Sequence, residues 1–226
     1  MRLKFNFRTP GKGQKTFTIS FLGLPRSLQD VVCMLGKLKR IINDLIKPFG
    51  DLIVSLGISP NILTILGFLV NGIAMMAFFE RRLLLASVLT LVGGFLDLID
   101  GAVARLSKKE SVFGGILDST LDRFSDFFLL VGMGSAMPEE KLRWCFVALA
   151  IHASLMPSYI RARAKGEGLP EITIGIAERP ERLIIISISA AFDFLKVGLI
   201  LLIILGYITT LMRLIVSYKK AKDVSI

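Results

Sequence analysis

From residue 60 to residue 216 the chain alternates long apolar stretches with short polar turns. A helix needs ~20 apolar residues to cross a bilayer, and all but one of the apolar segments approach that length. The short fifth segment can be completed by its polar lead-in around 176–182. The pattern predicts an all-α membrane protein with six transmembrane helices, at about 60–79, 83–106, 111–135, 141–163, 182–194 and 195–216.

The segment before the first span is amphipathic instead of uniformly apolar. Between residues 37 and 57, side chains such as Ile42 and Leu45 recur at helical spacing opposite charged residues. This pattern is typical of a helix that lies in the membrane interface, and Pro48 is expected to bend it. Residues 1–36 are too interrupted for a span, so they stay an unassigned N-terminal extension.

Composition supports a membrane protein and excludes other classes. Hydrophobic residues make up 53% of the 226 residues, and the mean hydropathy is +0.67. Such a chain is too apolar for an ordinary soluble domain or a disordered protein, and two cysteines cannot build a disulfide scaffold. We expect one membrane domain over 58–218 and a basic tail over 219–226.

The net charge of +10 is distributed unevenly along the predicted topology. With six spans, 22 of the 28 Lys and Arg residues lie on the same side as both termini. The positive-inside rule then places the termini in the cytoplasm of a multi-pass cell-membrane protein. We therefore expect this charge to interact with lipid headgroups and phosphate-bearing substrates. We do not expect a nucleic-acid partner.

Four acidic residues inside the second and third segments are the strongest chemical signal. Asp97 and Asp100 share one helix face, and Asp118 and Asp122 share a face of the next segment. Each buried carboxylate costs about 2.5–3.5 kcal/mol in a membrane helix, so the group must line a wet cavity, pair with cations or bind metal. In an antiparallel hairpin the four converge toward the cytoplasmic side. Oxygen ligands alone suit Mg²⁺ or Mn²⁺.

The string from Asp97 to Asp122 resembles the signature of the CDP-alcohol phosphotransferase family. It reads DxxDG, then xxAR, then eight residues, then GxxxDxxxD, with every defining position at a permitted spacing. Ser59-Pro60-Asn61-Ile-Leu-Thr64 is similar to the PNxxT segment that opens the family's membrane core. A juxtamembrane helix before six spans is also the family architecture, so the resemblance covers about residues 37–216.

The resemblance implies transfer of a phosphoryl-alcohol group from a CDP-alcohol to an acceptor hydroxyl, with release of CMP. It implies that Asp97, Asp100 and Asp118 bind two Mg²⁺ or Mn²⁺ ions, and that Asp122 is the general base and a further metal ligand. It also implies a homodimer. The positions that match the family's cytidine-nucleotide site are Asn61, Thr64, Gly101, Ala104, Arg105 and Gly114.

Two basic clusters concern the acceptor. The strings YIRAR and ERPERL resemble segments of the branch that uses inositol phosphate, the phosphatidylinositol phosphate and archaetidylinositol phosphate synthases. Guanidinium groups bind phosphate bidentately, so these clusters are candidates for an acceptor-phosphate pocket. Anchoring to lipid headgroups is the alternative. The candidate residues are Arg161, Arg163, Arg179 and Arg182.

On this resemblance we expect an enzyme that moves a phosphatidyl or archaetidyl group from a CDP-lipid to inositol 1-phosphate. Glycerol 3-phosphate or serine as acceptor, or CDP-inositol as donor to inositol phosphate, stay open within the family. A cation transporter with intramembrane carboxylates is the alternative from another class, although transporters place such groups near the midplane. A purely structural alternative is that the aspartates form ion pairs with Arg105 and Arg123 and have no catalytic or metal-binding role.

Overall fold

A computed structural model describes residues 2–9, 12–20, 48–107, 110–172, 174–176 and 178–224. The chain forms two compact units, Met1–Pro48 and Phe49–Ile226. In the first unit, β1 (Arg2–Thr9) and β2 (Lys12–Ser20) pair as an antiparallel hairpin. The all-α prediction therefore applies to the second unit, and the hairpin lies in the extension to which the sequence analysis assigned no structure.

The sequence of the first strand contains a pattern that predicts it. Leu3, Phe5 and Phe7 alternate with polar residues, and alternation with a period of two is typical of a strand. The register runs from Arg2 opposite Ser20 to Phe7 opposite Lys15, with an irregularity after Phe7.

The second unit is helical. Residues 37–47 of the predicted interfacial helix lie outside the described residues, and residues 48–55 are helical and are labelled α1. The longer helices follow the predicted spans to within a few residues at most ends. They are α2 (Pro60–Phe79), α3 (Leu83–Leu106), α4 (Val112–Ala136), α5 (Arg143–Gly166), α6 (Arg179–Ala191) and α7 (Leu195–Val224).

Among the described residues, four helices are long and apolar enough to cross a membrane: α2, α3, α5 and α7. The 25-residue α4 carries four charged residues between positions 118 and 126, and α6 has only 13 residues. The membrane character predicted from the sequence is therefore confirmed, and the count of six spans stays a prediction. α6 ends earlier than expected because Asp193, at φ 55°, turns the chain out of the helix.

Helix packing leaves a gap between the two acidic helices. α2 packs along both α3 and α4, whereas α3 and α4 touch each other far less. The apolar core lies toward the opposite end of the bundle, where Phe78, Leu130, Met133 and Leu199 are almost fully buried. α2 therefore holds the two helices of the predicted α3–α4 hairpin in place, since it packs against both. The acidic residues of α3 and α4 face one another beside it.

The register of α6 against α3 is set by small polar and glycine positions. The Ser87 hydroxyl donates to the Ser187 carbonyl at 2.8 Å, and the Ser187 hydroxyl donates to the Ser87 carbonyl at 3.2 Å. Further along, a Cβ on Gly94 would lie 2.7 Å from Leu183 Cδ1, so a larger residue there would require the Leu183 side chain to move. These contacts bring the first turn of α6, with Arg179, beside the second half of α3, which carries Asp97.

A glycine contact between α5 and α7 offers a test of this packing. Pro157 has no N–H, so the Ala153 carbonyl loses its donor in α5 and faces Gly206 of α7. A Cβ on Gly206 would lie 2.6 Å from that oxygen. We expect Gly206→Ala to separate the helices and lower the free energy of unfolding by about 1–3 kcal/mol, seen as a lower melting temperature in detergent.

Gly72→Ala is the matched control, because a Cβ on Gly72 has nothing within 4 Å. This variant should melt at or slightly above the temperature of the unmodified protein, since alanine favours the helix. Equal melting temperatures for the two variants would contradict the close approach of α5 and α7.

Candidate active site

Three carboxylates form a compact cluster at the gap between α3 and α4. One oxygen from each of Asp97, Asp100 and Asp118 lies within 4.8 Å of the others. Asp100 is 5% exposed, and within the part of the chain that the structure describes its buried Oδ2 atom has no hydrogen-bond partner. Carboxylates this close repel one another, and an unsatisfied buried oxygen is costly. The donor set and its spacing therefore fit a hard divalent cation.

The start of α2 lies beside both acidic helices. Thr64 is buried and its side chain interacts with Asp100 of α3. Asn61 faces the start of α4, where its Oδ1 atom is 3.1 Å from the position that a Cβ on Gly114 would take. Ser111 caps α4 by accepting a hydrogen bond from the Gly114 N–H at 2.9 Å. A side chain at position 114 would collide with both neighbours.

The other nucleotide candidates follow the cluster along α3. Gly101 and Ala104 are half-buried, and Arg105 is exposed in the last turn of the helix. The guanidinium of Arg105 lies back along α3, where its Nη1 atom is 3.4 Å from the Cβ position of Gly101. These residues therefore continue the acidic face toward the C-terminal end of α3.

Asp122 lies outside the three-carboxylate cluster but is joined to it by Arg179. The Arg179 Nη1 atom is 2.6 Å from Asp122 Oδ1, and the same nitrogen forms an ion pair with Asp97. Asp122 also has its Oδ2 atom 3.3 Å from Arg123 Nη1. The structure thus brings all four predicted carboxylates together, and it places a predicted acceptor-phosphate residue among them.

Asp126 is a functional candidate that the sequence analysis missed. Its Oδ2 atom is 2.6 Å from Arg182 Nη2, with both side chains 7% exposed, and its Oδ1 atom is 3.7 Å from Arg179 Nε. Asp126 lies outside the family signature, which ends at Asp122. The available signal was the spacing of four that links Asp118, Asp122 and Asp126 on one helix face.

The four predicted acceptor arginines occupy two environments. At the start of α6, Arg182 is buried and Arg179 is largely buried against carboxylates, with its side chain 12% exposed, whereas Arg161 and Arg163 are exposed near the end of α5. Arg161 lies within electrostatic range of Asp118, and Arg163 pairs with Glu167 one turn on. The charge of Arg161 therefore acts on the acidic cluster.

Comparison with known proteins agrees with this site. Residues 57–219 match the family model for CDP-alcohol phosphatidyltransferase. The chain is 42% identical over 187 residues to archaetidylinositol phosphate synthase from Pyrococcus horikoshii, a match that covers 83% of this chain and 98% of that protein.

Crystal structures of the phosphatidylinositol phosphate synthase from Mycobacterium tuberculosis are similar in fold. The structure with CDP-DAG bound has a TM-score of 0.67 and 30% identity, covering 77% of this chain and 94% of that one. The complex with manganese and citrate has a TM-score of 0.67 and 31% identity, covering 76% and 88%. The matched family range contains all of the carboxylates and arginines described above, and the chain is a transferase that belongs to the CDP-alcohol phosphatidyltransferase family.

Proposed function

We propose that this membrane enzyme transfers a phosphatidyl or archaetidyl group from a CDP-lipid to the hydroxyl of inositol 1-phosphate and releases CMP. The observation that carries the proposal is the position of Arg179, a buried guanidinium in contact with carboxylates of both acidic helices. Arg179 can bind phosphate, and it lies beside the carboxylates that can bind a cation. The inositol phosphate synthases among the relatives support the choice of acceptor.

Asp97, Asp100 and Asp118 would hold the metal, with Asp122 contributing to a second ion. Mg²⁺ or Mn²⁺ bound there would neutralise the donor pyrophosphate and the charge that develops as CMP leaves. The manganese complex of the M. tuberculosis enzyme supports this assignment. Two ions, with Mg²⁺ as an alternative to Mn²⁺, are part of the proposal.

The cytidine nucleotide is assigned to the residues around the start of α2 and α4 and the end of α3. Gly114 allows close approach because a side chain there would meet Asn61 and Ser111. The CDP-DAG complex of the M. tuberculosis enzyme supports a CDP-lipid donor. The proposed nucleotide-binding residues remain Asn61, Thr64, Gly101, Ala104, Arg105 and Gly114.

Asp122 is proposed to orient the acceptor hydroxyl and to take its proton. The hydroxyl oxygen forms the new bond to the β-phosphorus of the donor, the bond from that phosphorus to the CMP oxygen breaks, and CMP leaves with the electron pair. Arg179, 2.6 Å from Asp122, would hold the acceptor phosphate. Fixing one molecule at both its phosphate and its hydroxyl contributes strongly to rate by orientation. Arg161, Arg163 and Arg182 are proposed to complete the phosphate pocket.

The same proposal includes the topology. Six spans, with both termini in the cytoplasm and the site opening to the cytoplasmic side, are supported by the 22 cationic residues on the terminal side. In this arrangement α4 and α6 are the remaining two spans. Their charged residues face the interior of the protein. The homodimer implied by the family resemblance stays a prediction.

Release of CMP by the purified protein in detergent tests this function. CDP-diacylglycerol, CDP-archaeol and CDP-inositol would each be combined with inositol 1-phosphate, glycerol 3-phosphate or serine, with Mg²⁺, Mn²⁺ or EDTA. We expect metal-dependent CMP release from a CDP-lipid, fastest with inositol 1-phosphate. Faster release with another acceptor would contradict the proposed acceptor. Cation flux into liposomes without CMP release would instead indicate a transporter.

A further inference from the structure

We infer that the N-terminal hairpin binds the surface of an anionic phospholipid bilayer through one face of its sheet. The hairpin lies outside residues 57–219, the range that matches the family model. The inference therefore goes beyond the proposed function and holds whichever acceptor the enzyme uses. It is carried by the juxtaposition of an apolar face and a set of cations on one short pair of strands.

The register of the two strands separates apolar from polar positions. Residues paired across an antiparallel ladder lie on the same face, and successive residues of a strand lie on opposite faces. The pairs on one face, which we call the apolar face, are Leu3–Ile19, Phe5–Phe17 and Phe7–Lys15. The pairs on the other face are Arg2–Ser20, Lys4–Thr18 and Asn6–Thr16. Lys15 is the one polar residue among the first set and the second set is entirely polar, so the hairpin is amphipathic.

The charged residues of this segment all have the same sign. Residues 1–20 contain five Lys and Arg residues and no Asp or Glu: Arg2, Lys4, Arg8, Lys12 and Lys15. Basic residues near a membrane surface are attracted to anionic headgroups within about a Debye length, which is about 10 Å at 0.1 M salt. Sheets pack about 10 Å apart, so cations on both faces of a single sheet lie within that distance of a surface that it contacts.

An anionic bilayer is the partner that fits both properties. The apolar face needs a covering surface, because an isolated two-stranded hairpin is only marginally stable in water. Two copies of the hairpin would bring two sets of five cations together without an acidic residue, which opposes their pairing. A free phosphate ion would match the charge but leave the apolar positions uncovered. A bilayer interface accepts apolar residues and cations together, and this chain already carries helices that can cross a bilayer.

Tryptophan fluorescence of the full-length protein in liposomes tests the inference. The chain has one tryptophan, so Trp144→Phe provides a background without that residue. In this background Phe5→Trp places the probe on the apolar face, and Asn6→Trp is the matched control on the polar face. With phosphatidylglycerol and lipids brominated on their acyl chains, we expect quenching at position 5 to be at least about threefold stronger than at position 6. In phosphatidylcholine alone this difference should fall at least about twofold.

Phe17→Trp and Thr16→Trp repeat the comparison on β2, and they decide the question if a change in β1 prevents folding. Equal quenching on the two faces, or the same quenching in anionic and neutral liposomes, would overturn the inference. A blue-shifted emission from Phe5→Trp without quenching by brominated lipid would show that protein covers the apolar face, either a second copy or another part of the chain. That result would also overturn the inference. CMP release by the same variants tests the proposed function separately, since none of the changed residues belongs to the proposed site.

Discussion

Asp122→Asn is expected to keep the ion held by Asp97, Asp100 and Asp118 and to bind CDP-lipid, while losing most of its turnover. Asp122 lies outside the three-carboxylate cluster and contacts Arg179 and Arg123, so the cluster keeps its oxygens. Asparagine has the same shape but cannot accept the acceptor proton. Removal of a general base typically costs about 10²–10⁴-fold in rate. The measurements are CMP release at saturating substrates and Mn²⁺ binding by electron paramagnetic resonance.

Asp100→Asn is the matched variant inside the cluster. Its buried Oδ2 atom has no hydrogen-bond partner among the described residues, so we expect this variant to lose Mn²⁺ affinity and turnover together. CMP release near the unmodified rate by Asp122→Asn would contradict the base assignment. Loss of Mn²⁺ binding by Asp122→Asn to the extent seen for Asp100→Asn would show that Asp122 acts mainly as a metal ligand.

Arg179→Ala is expected to raise the KM for inositol 1-phosphate about 10- to 150-fold, with a much smaller effect on the KM for the CDP-lipid. A hydrogen bond to a charged group contributes about 1.5–3 kcal/mol, and Arg179, whose side chain is 12% exposed, is the candidate that contacts both Asp97 and Asp122. Steady-state kinetics with each substrate varied in turn measure the two KM values.

Arg163→Ala is the comparison for Arg179→Ala. Arg163 is exposed and paired with Glu167, and exposed pairs contribute little, so its effect on the acceptor KM should stay below about fivefold. Because Arg179→Ala also leaves Asp97 and Asp122 without their cation, Arg179→Lys separates lost charge from lost geometry. Equal changes in donor and acceptor KM for both Arg179 variants would assign this arginine to the structure of the carboxylate cluster instead of the acceptor.

Local patterns account for the parts of the fold that the sequence predicts well. Long apolar runs meet the length requirement of a bilayer, so α2, α3, α5 and α7 are recognisable without knowledge of their neighbours. Helical periodicity likewise places Asp97 and Asp100 on one face and Asp118 and Asp122 on another. The apolar–polar alternation of residues 3–8 is equally local and predicts a strand. It is not detected when the sequence is divided only by the lengths of its apolar segments.

The end of α6 and the importance of Asp126 were not predictable in the same way. α6 ends at Ala191 because the chain turns at Asp193, and its apolar part is short because its first turn carries charge. Asp126 has a partner, Arg182, that is 56 positions away in the chain. A spacing of four identifies the helix face on which a carboxylate lies, but not the cation that another helix brings to it.

The sequence by itself therefore determined that this is a helical membrane enzyme and which carboxylates share a helix face, since both depend on interactions within one segment. Only the tertiary structure decided which cation meets them. Arg179 reaches Asp97 and Asp122 because Ser87 and Ser187 set the register of α6 on α3. Contacts between distant segments depend on helix register, which no single segment encodes.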